Sequence, residues 1–134
     1  MGRPGKDIKL AADRNNAKLA GLYQNHNPAV LRLIAHVVKS AHNHGRRVGV
    51  CGEMAGQLSG ALILLGLGVD ELSMSVGSLP EVKSLIRKTS SLEARKLRDL
   101  LLELKTPMEV ETAVNEFFSI KIKNNGHQYQ RILT

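Results

Sequence analysis

The sequence is poor in the residues that most often announce chemistry. Its 134 residues contain one cysteine, no tryptophan, two tyrosines and two phenylalanines. A single cysteine excludes an internal disulfide and a thiolate metal cluster, and it fits a reducing compartment, so a cytoplasmic location is expected. Aromatics at 3% leave little with which to stack single-stranded bases. Long apolar runs are also lacking: residues 61–69 are apolar but far short of the roughly 20 needed to span a bilayer. No amino-terminal signal peptide is visible, and no membrane insertion is expected. Acidic residues are outnumbered, 12 against 19 Lys and Arg, which gives a formal charge of +7 and suits anionic partners. The basic residues are dispersed over helical segments without a groove-reading motif, so specific nucleic-acid binding is not expected. A chain of this length makes one domain, burying roughly two thirds of its unfolded surface.

What is there centres on residues 45–56, G-R-R-V-G-V-C-G-E-M-A-G. Residues 48–51 read as a short strand punctuated by glycines. Gly52 and Gly56 allow a close turn around Glu53 and Met54, and residues 58–67 are nearly all apolar, suited to a helix packed on a sheet. Cys51 therefore falls at the carboxyl end of a strand, the edge at which parallel α/β folds place their chemistry. The competing reading is a buried structural thiol, since cysteine packs as a small hydrophobe. Residues 71–76 form a second strand in which Leu72, Met74 and Val76 alternate with Ser73 and Ser75. A helix between two short strands predicts a βαβ unit with parallel, adjacent strands. The serine face either lines a site or packs against another element.

Around this unit the remaining elements carry their own start signals. Asn27-Pro28 predicts a helix N-cap and first turn, followed by Val30, Leu31, Ile34, Val37, Val38 and Ala41 on one face, with an end near residues 42–45. Ser78 with Glu81, Ser90 with Glu93, and Thr106-Pro107 with Glu109 predict capping boxes for three later helices, expected as layers over a sheet. Residues 8–12 suit a short strand or helical turn, and residues 17–23 a short helix. Between them Asp13, Arg14, Asn15 and Asn16 read as a polar loop and cap. The Arg14 guanidinium could hold a phosphate bidentately, although no phosphate-cradling glycine motif accompanies it. Residues 120–123 alternate like an edge strand before the turn signal Asn124-Asn125-Gly126, so the tail reads as a hairpin or as a basic solvated end. His26, His36, His42, His44 and His127 do not make a recognisable ligand set, and no metal site is expected from them.

Four runs carry a resemblance: A-A-D-R-N-N over residues 11–16, N-P-A-V-L-R-L-I over 27–34, G-V-C-G-E-M-A-G over 49–56 and L-L-G-L-G-V-D-E-L-S-M-S over 64–75. In this order and spacing the chain resembles the carboxyl-terminal, phosphoenolpyruvate-binding domain of the phosphoenolpyruvate-protein phosphotransferases, enzyme I of the bacterial sugar phosphotransferase system. The resemblance implies an α/β fold, the last third of a (β/α)8 TIM barrel with residues 48–51 and 71–75 as its seventh and eighth strands, completed or shielded by oligomerisation. It implies that Cys51 is the catalytic acid that protonates carbon 3 of the pyruvate enolate and that Arg14 binds the substrate phosphate. It also implies magnesium as cofactor of the full-length family, whose Asn and Asp at a preceding Thr-Asn-Asp-Leu run contact phosphate and metal. Here those two positions are Arg3 and Pro4, and Gln57 stands where the family often has Asp. The expectation is therefore a phosphotransferase fragment, inactive alone, that holds no magnesium well and binds phosphoenolpyruvate weakly or not at all. It would be a homo-oligomer and would meet the histidine-containing phosphocarrier protein only through amino-terminal domains of a longer protein. The alternative is a small oligomeric interaction or anion-binding module that has reused the barrel piece. In domain terms, residues 1–7 read as a leader or expression remnant, 8–119 as the partial barrel domain and 120–134 as a tail.

Overall fold

A computed structural model describes residues 26–125. In chain order it contains α1 (Pro28–Asn43), β1 (Gly49–Cys51), α2 (Glu53–Gly56), α3 (Leu58–Gly66), β2 (Glu71–Ser73), α4 (Leu79–Lys88), α5 (Ser91–Glu103) and α6 (Pro107–Asn125). The starts follow the local chemistry. Ala29 N donates to Asn27 Oδ1 at 2.9 Å with Pro28 in the first turn of α1, and the helix gives way at Gly45, whose φ of +66° favours glycine. Ser90 and Glu93 close a full capping box on α5. Thr106 and Glu109 bond reciprocally at the start of α6, with Thr106 N donating to Glu109 Oε2 at 3.1 Å and Glu109 N to Thr106 Oγ1 at 3.2 Å. Ser78 departs from the expected pattern. It precedes α4 but its side chain caps nothing, because its Oγ is paired with Ser75 Oγ at 3.2 Å.

The βαβ unit forms as its pattern predicts. β1 and β2 are adjacent and parallel, with Gly49 opposite Glu71, Val50 opposite Leu72 and Cys51 opposite Ser73. The partial (β/α)8 TIM barrel does not form. Among the described residues the sheet has two strands of three residues, open at both outer edges, and helices make up most of the fold. A barrel needs every strand hydrogen-bonded on both sides and tilted into closure. Here only the central residues Val50 and Leu72 turn toward the core, and both are just half-buried. β2 also stops at Ser73 rather than Val76, since Ser78 N donates to Ser75 O in the turn that leads to α4.

Burial is organised around a helix instead of a sheet. α3 is apolar on every side, and Ala61, Leu62, Ile63 and Leu64 are fully buried. It packs on α5, α4 and α2. Gly60 and Gly66 let it approach closely: a Cβ at Gly60 would overlap the Met54 carbonyl, and one at Gly66 would lie 2.8 Å from Ala94 O. Leu31, Val82, Leu85, Leu97, Leu101, Val110, Val114 and Phe118 complete the core.

Two cations tie distant elements together at helix ends. From α1, Arg32 Nε and Nη2 donate to Leu102 O (3.2 Å) and Leu104 O (2.8 Å) at the carboxyl end of α5. From α6, the buried Lys121 donates to Lys88 O at 2.8 Å, closing α4, and pairs with Glu93 Oε1 at 2.6 Å. This corrects the edge-strand reading of residues 120–123. Val110, Ala113, Val114, Phe118 and Lys121 are buried at helical spacing, so α6 runs through to Asn125. Among the described residues no helix is long and apolar enough to cross a membrane.

Candidate functional site

The parallel strands end together, and the chain leaves each of them through a tight turn. Gly52, with φ of +120°, follows Cys51 and opens α2, whose Met54 and Ala55 are buried as an anchor. Met74 and Ser75 follow β2 and lead to Ser78 and α4. Between these two exits lies an open cleft of ≈ 520 Å³, lined by Cys51, Gly52, Glu53, Gln57, Ser73 and Ser75 with Met74, Gly56 and Ser78 behind. The Cys51 thiol is exposed to it. A buried structural thiol is thus ruled out, and the serine face of the second strand lines the same opening. The sequence pattern suggests only a cap at Ser78; its hydroxyl pairs instead with Ser75, and the residue lines the cleft.

The register of the strands is held by a residue that sequence patterns did not single out. Asp70 Oδ2 accepts a hydrogen bond from Val48 N at 2.7 Å and lies 2.8 Å from His42 Nε2, while Asp70 N donates to Val48 O at 2.9 Å. The His42 hydrogen bond, followed by the Val48 N–H, holds the Asp70 carboxyl below its usual range. One carboxylate so joins the end of α1, the start of β1 and the start of β2. Gly66 and Gly68, within the run over residues 64–75, suit a turn at this place, but the partners of Asp70 are 22 and 28 residues away.

Arg14, the expected phosphate ligand, lies outside the described residues, as do Arg3, Pro4 and His127. His42 is engaged with Asp70, and His44 Nδ1 lies 2.8 Å from Ser40 O at the end of α1. Among the described residues no three His, Cys, Asp or Glu side chains come close enough to hold a metal ion. Glu53 is the one carboxylate lining the cleft among them. This donor set does not fit the magnesium that the resemblance implies, because a hard cation takes several oxygen ligands.

An exposed thiol and several hydroxyls thus line one cleft at the carboxyl ends of the two parallel strands. The chain belongs to the family of PEP-utilising enzymes, matching their PEP-binding domain over residues 7–91, which span Arg14, Cys51 and the whole cleft. It is 46% identical over 111 residues to a phosphoenolpyruvate-protein phosphotransferase of Geobacillus stearothermophilus, covering 83% of this chain and 19% of that protein. Its identity to the phosphoenolpyruvate-protein phosphotransferase of Bacillus subtilis strain 168 is 47% over 109 residues, 81% of this chain and 19% of the relative. For that of Haemophilus influenzae it is 42% over 108 residues, with the same shares. The chain spans about a fifth of the length of the curated relatives it matches.

Proposed function

We propose that residues 8–119 are the phosphoenolpyruvate-binding part of a phosphoenolpyruvate-protein phosphotransferase, a protein that moves the phosphoryl group of phosphoenolpyruvate to an enzyme histidine and releases pyruvate. The observation that carries this reading is the Cys51 thiol, exposed at the mouth of the cleft where β1 ends. Once the phosphoryl group has left, carbon 3 of the enolate needs a proton. Cys51 supplies it: the S–H bond breaks with its electron pair left on sulfur, the enolate π pair forms the new C–H bond, and the enolate oxygen becomes the ketone of pyruvate. A thiol suits this step because its ordinary pKa lies close enough to neutrality for it to act as an acid. Arg14 is assigned to the substrate phosphate, which a guanidinium can grip with two parallel bonds.

By itself the chain is inert in this reading. The described residues lack a set of oxygen ligands for magnesium, and Arg3 and Pro4 occupy the positions at which the family's Asn and Asp would act. Phosphoryl transfer relies on electrostatic neutralisation of the phosphate, so those losses reach transfer and binding together. Binding is therefore weak and rests on Arg14 more than on Cys51, since a neutral thiol only approaches the methylene carbon. The experiment is a phosphoenolpyruvate titration of the chain, of Arg14→Ala and of Cys51→Ala near physiological salt, followed by amide NMR with sulfate as the anion control. Shifts around the cleft with a Kd weaker than ~100 µM, lost in Arg14→Ala and retained in Cys51→Ala, are expected. Saturable binding tighter than that would overturn the inert reading, and shifts identical to those of sulfate would overturn the assignment of the site.

We also propose that the chain forms a homo-oligomer. The support is the pair of strands with both outer edges open among the described residues, together with exposed apolar side chains such as Val76 (86%) and Met108 (77%). Contact with a histidine-containing phosphocarrier belongs, in this reading, to other parts of a longer protein.

A further inference from the structure

We propose that Ser73 is a positioning residue for the Cys51 thiol, its hydroxyl donating to the sulfur as the proton leaves. The inference rests on Cys51 being the proton donor and adds a second residue to that step.

The two residues are cross-strand partners in the parallel register. Along each strand the exposed positions are Gly49 and Cys51, and Glu71 and Ser73, while Val50 and Leu72 turn to the core. Side chains alternate along a strand, so Cys51 and Ser73 stand on the same face, on backbones about 4.8 Å apart. Gly52 N donates to Ser73 O at 3.4 Å, which carries the ladder one residue beyond the thiol and holds the pair in step. Both side chains line the cleft. The other cleft hydroxyls are occupied, Ser75 Oγ with Ser78 Oγ at 3.2 Å. Among the described residues the Ser73 hydroxyl has no hydrogen-bond partner, so its χ1 is not tied to another group.

A hydroxyl in this place favours the thiolate over the thiol. When S–H gives its proton to carbon 3 the charge appears on sulfur, and a Ser73 O–H···S⁻ bond forms as it does so. The proton is regained from solvent afterwards. The stabilisation belongs to the product side of the transfer, so removing the hydroxyl slows the donation without removing the acid. Among the described residues the charged groups near the thiol are Glu53 from α2 and Glu71 from β2, the latter paired with Arg47 at 3.1 Å. None of these is altered by substitution of Ser73.

The test needs no substrate. Because the chain has one cysteine, iodoacetamide reports on Cys51 alone. Alkylation is followed from pH 6 to pH 10 for the chain, Ser73→Ala, Ser73→Thr and Ser75→Ala. Ser73→Ala is expected to react about two- to fourfold more slowly near pH 7 and no more slowly at pH 10, because losing one hydrogen bond reduces the thiolate fraction while slightly raising its nucleophilicity. Ser73→Thr, which keeps the hydroxyl, restores the parent profile, and Ser75→Ala matches it. A Ser73→Ala profile that coincides with the parent, or is displaced equally at both ends as a change of access would make it, overturns the proposal. The result is independent of phosphoenolpyruvate, so failure of the proton-donor reading would appear in turnover with Cys51→Ala, and failure of the Ser73 contact in alkylation.

Discussion

Lys121 shows how one side chain can decide the local structure. Its ammonium meets Lys88 O, Glu93 Oε1 and, at 5.8 Å, the face of Phe117, while the residue stays only 9% exposed. The Lys121 bond, followed by the Ser90 N–H, holds the Glu93 carboxyl down to about 2. The folded state therefore keeps Glu93 ionised below the ordinary value of 4.5, at which an unfolded chain takes up the proton. The stability from this shift is complete above about pH 4.5 and is lost as pH falls toward about 2. Lys121→Met should be about 1–3 kcal/mol less stable than the parent at pH 7, since a part-buried carbonyl loses a charged donor. In urea unfolding the gap should narrow as pH falls from 4.5 toward 2, where the parent loses the ion pair as well. A gap that stays constant through that window would show that Glu93 and Lys121 are not coupled. Two of the three expected capping boxes form, and the third, Ser78 with Glu81, fails at the same spacing because the Ser78 hydroxyl is paired with Ser75. The Ser90–Glu93 and Thr106–Glu109 boxes were legible because a cap and its N3 residue are three apart. Asp70 was not, because its role comes from Val48 and His42, which only the fold brings to it.

The βαβ unit was legible among the elements because two periodicities meet there, alternation in the strands and continuous apolarity in the helix. The alternation over residues 120–123 misled for an instructive reason. Lys121 looks like a polar outward residue but is the buried member of a helical stripe, and its long stem lets a charge sit at a core position while its head finds a carbonyl and a carboxylate. α3 holds the packing together, and its glycines are the most exacting positions in it. Helix propensity alone would make Gly60→Ala stabilising by about 1 kcal/mol. The added Cβ would overlap the backbone carbonyl of Met54, with Met54 C only 2.9 Å away, and backbone cannot swing aside as a side-chain tip can. The overlap should win, leaving Gly60→Ala destabilised by about 2 kcal/mol or more in thermal or urea unfolding. Gly77→Ala, where nothing lies within 4 Å, should stay within about 0.5 kcal/mol of the parent. Equal stability of the two variants would mean that α3 does not rest on the Met54 turn as described.

For the molecule as a whole, the order and spacing of motifs identified the family correctly, whereas the barrel did not follow from them. A motif fixes the chemistry of a strand end and the turn that leaves it. Closure of a sheet depends on neighbours on both sides of every strand, and the described strands have one neighbour each. The fold that results buries α3 rather than a barrel interior and leaves strand edges and apolar side chains at the surface. Light scattering at micromolar concentration should accordingly report a dimer or larger species. A monodisperse monomer would mean that those edges are shielded within the chain itself.

Whether this chain provides the proton-donating part of a phosphoenolpyruvate site is tested by returning it to an active setting. Residues 7–91 would replace the matching segment of the Bacillus subtilis phosphoenolpyruvate-protein phosphotransferase, and pyruvate release from phosphoenolpyruvate would be measured for the chimera and for its Cys51→Ala variant. A working chimera is expected, with pyruvate release that falls by about 10²–10⁴-fold without the thiol, the usual contribution of a positioned general acid. A folded chimera that releases no pyruvate, or one indifferent to Cys51→Ala, would contradict that role.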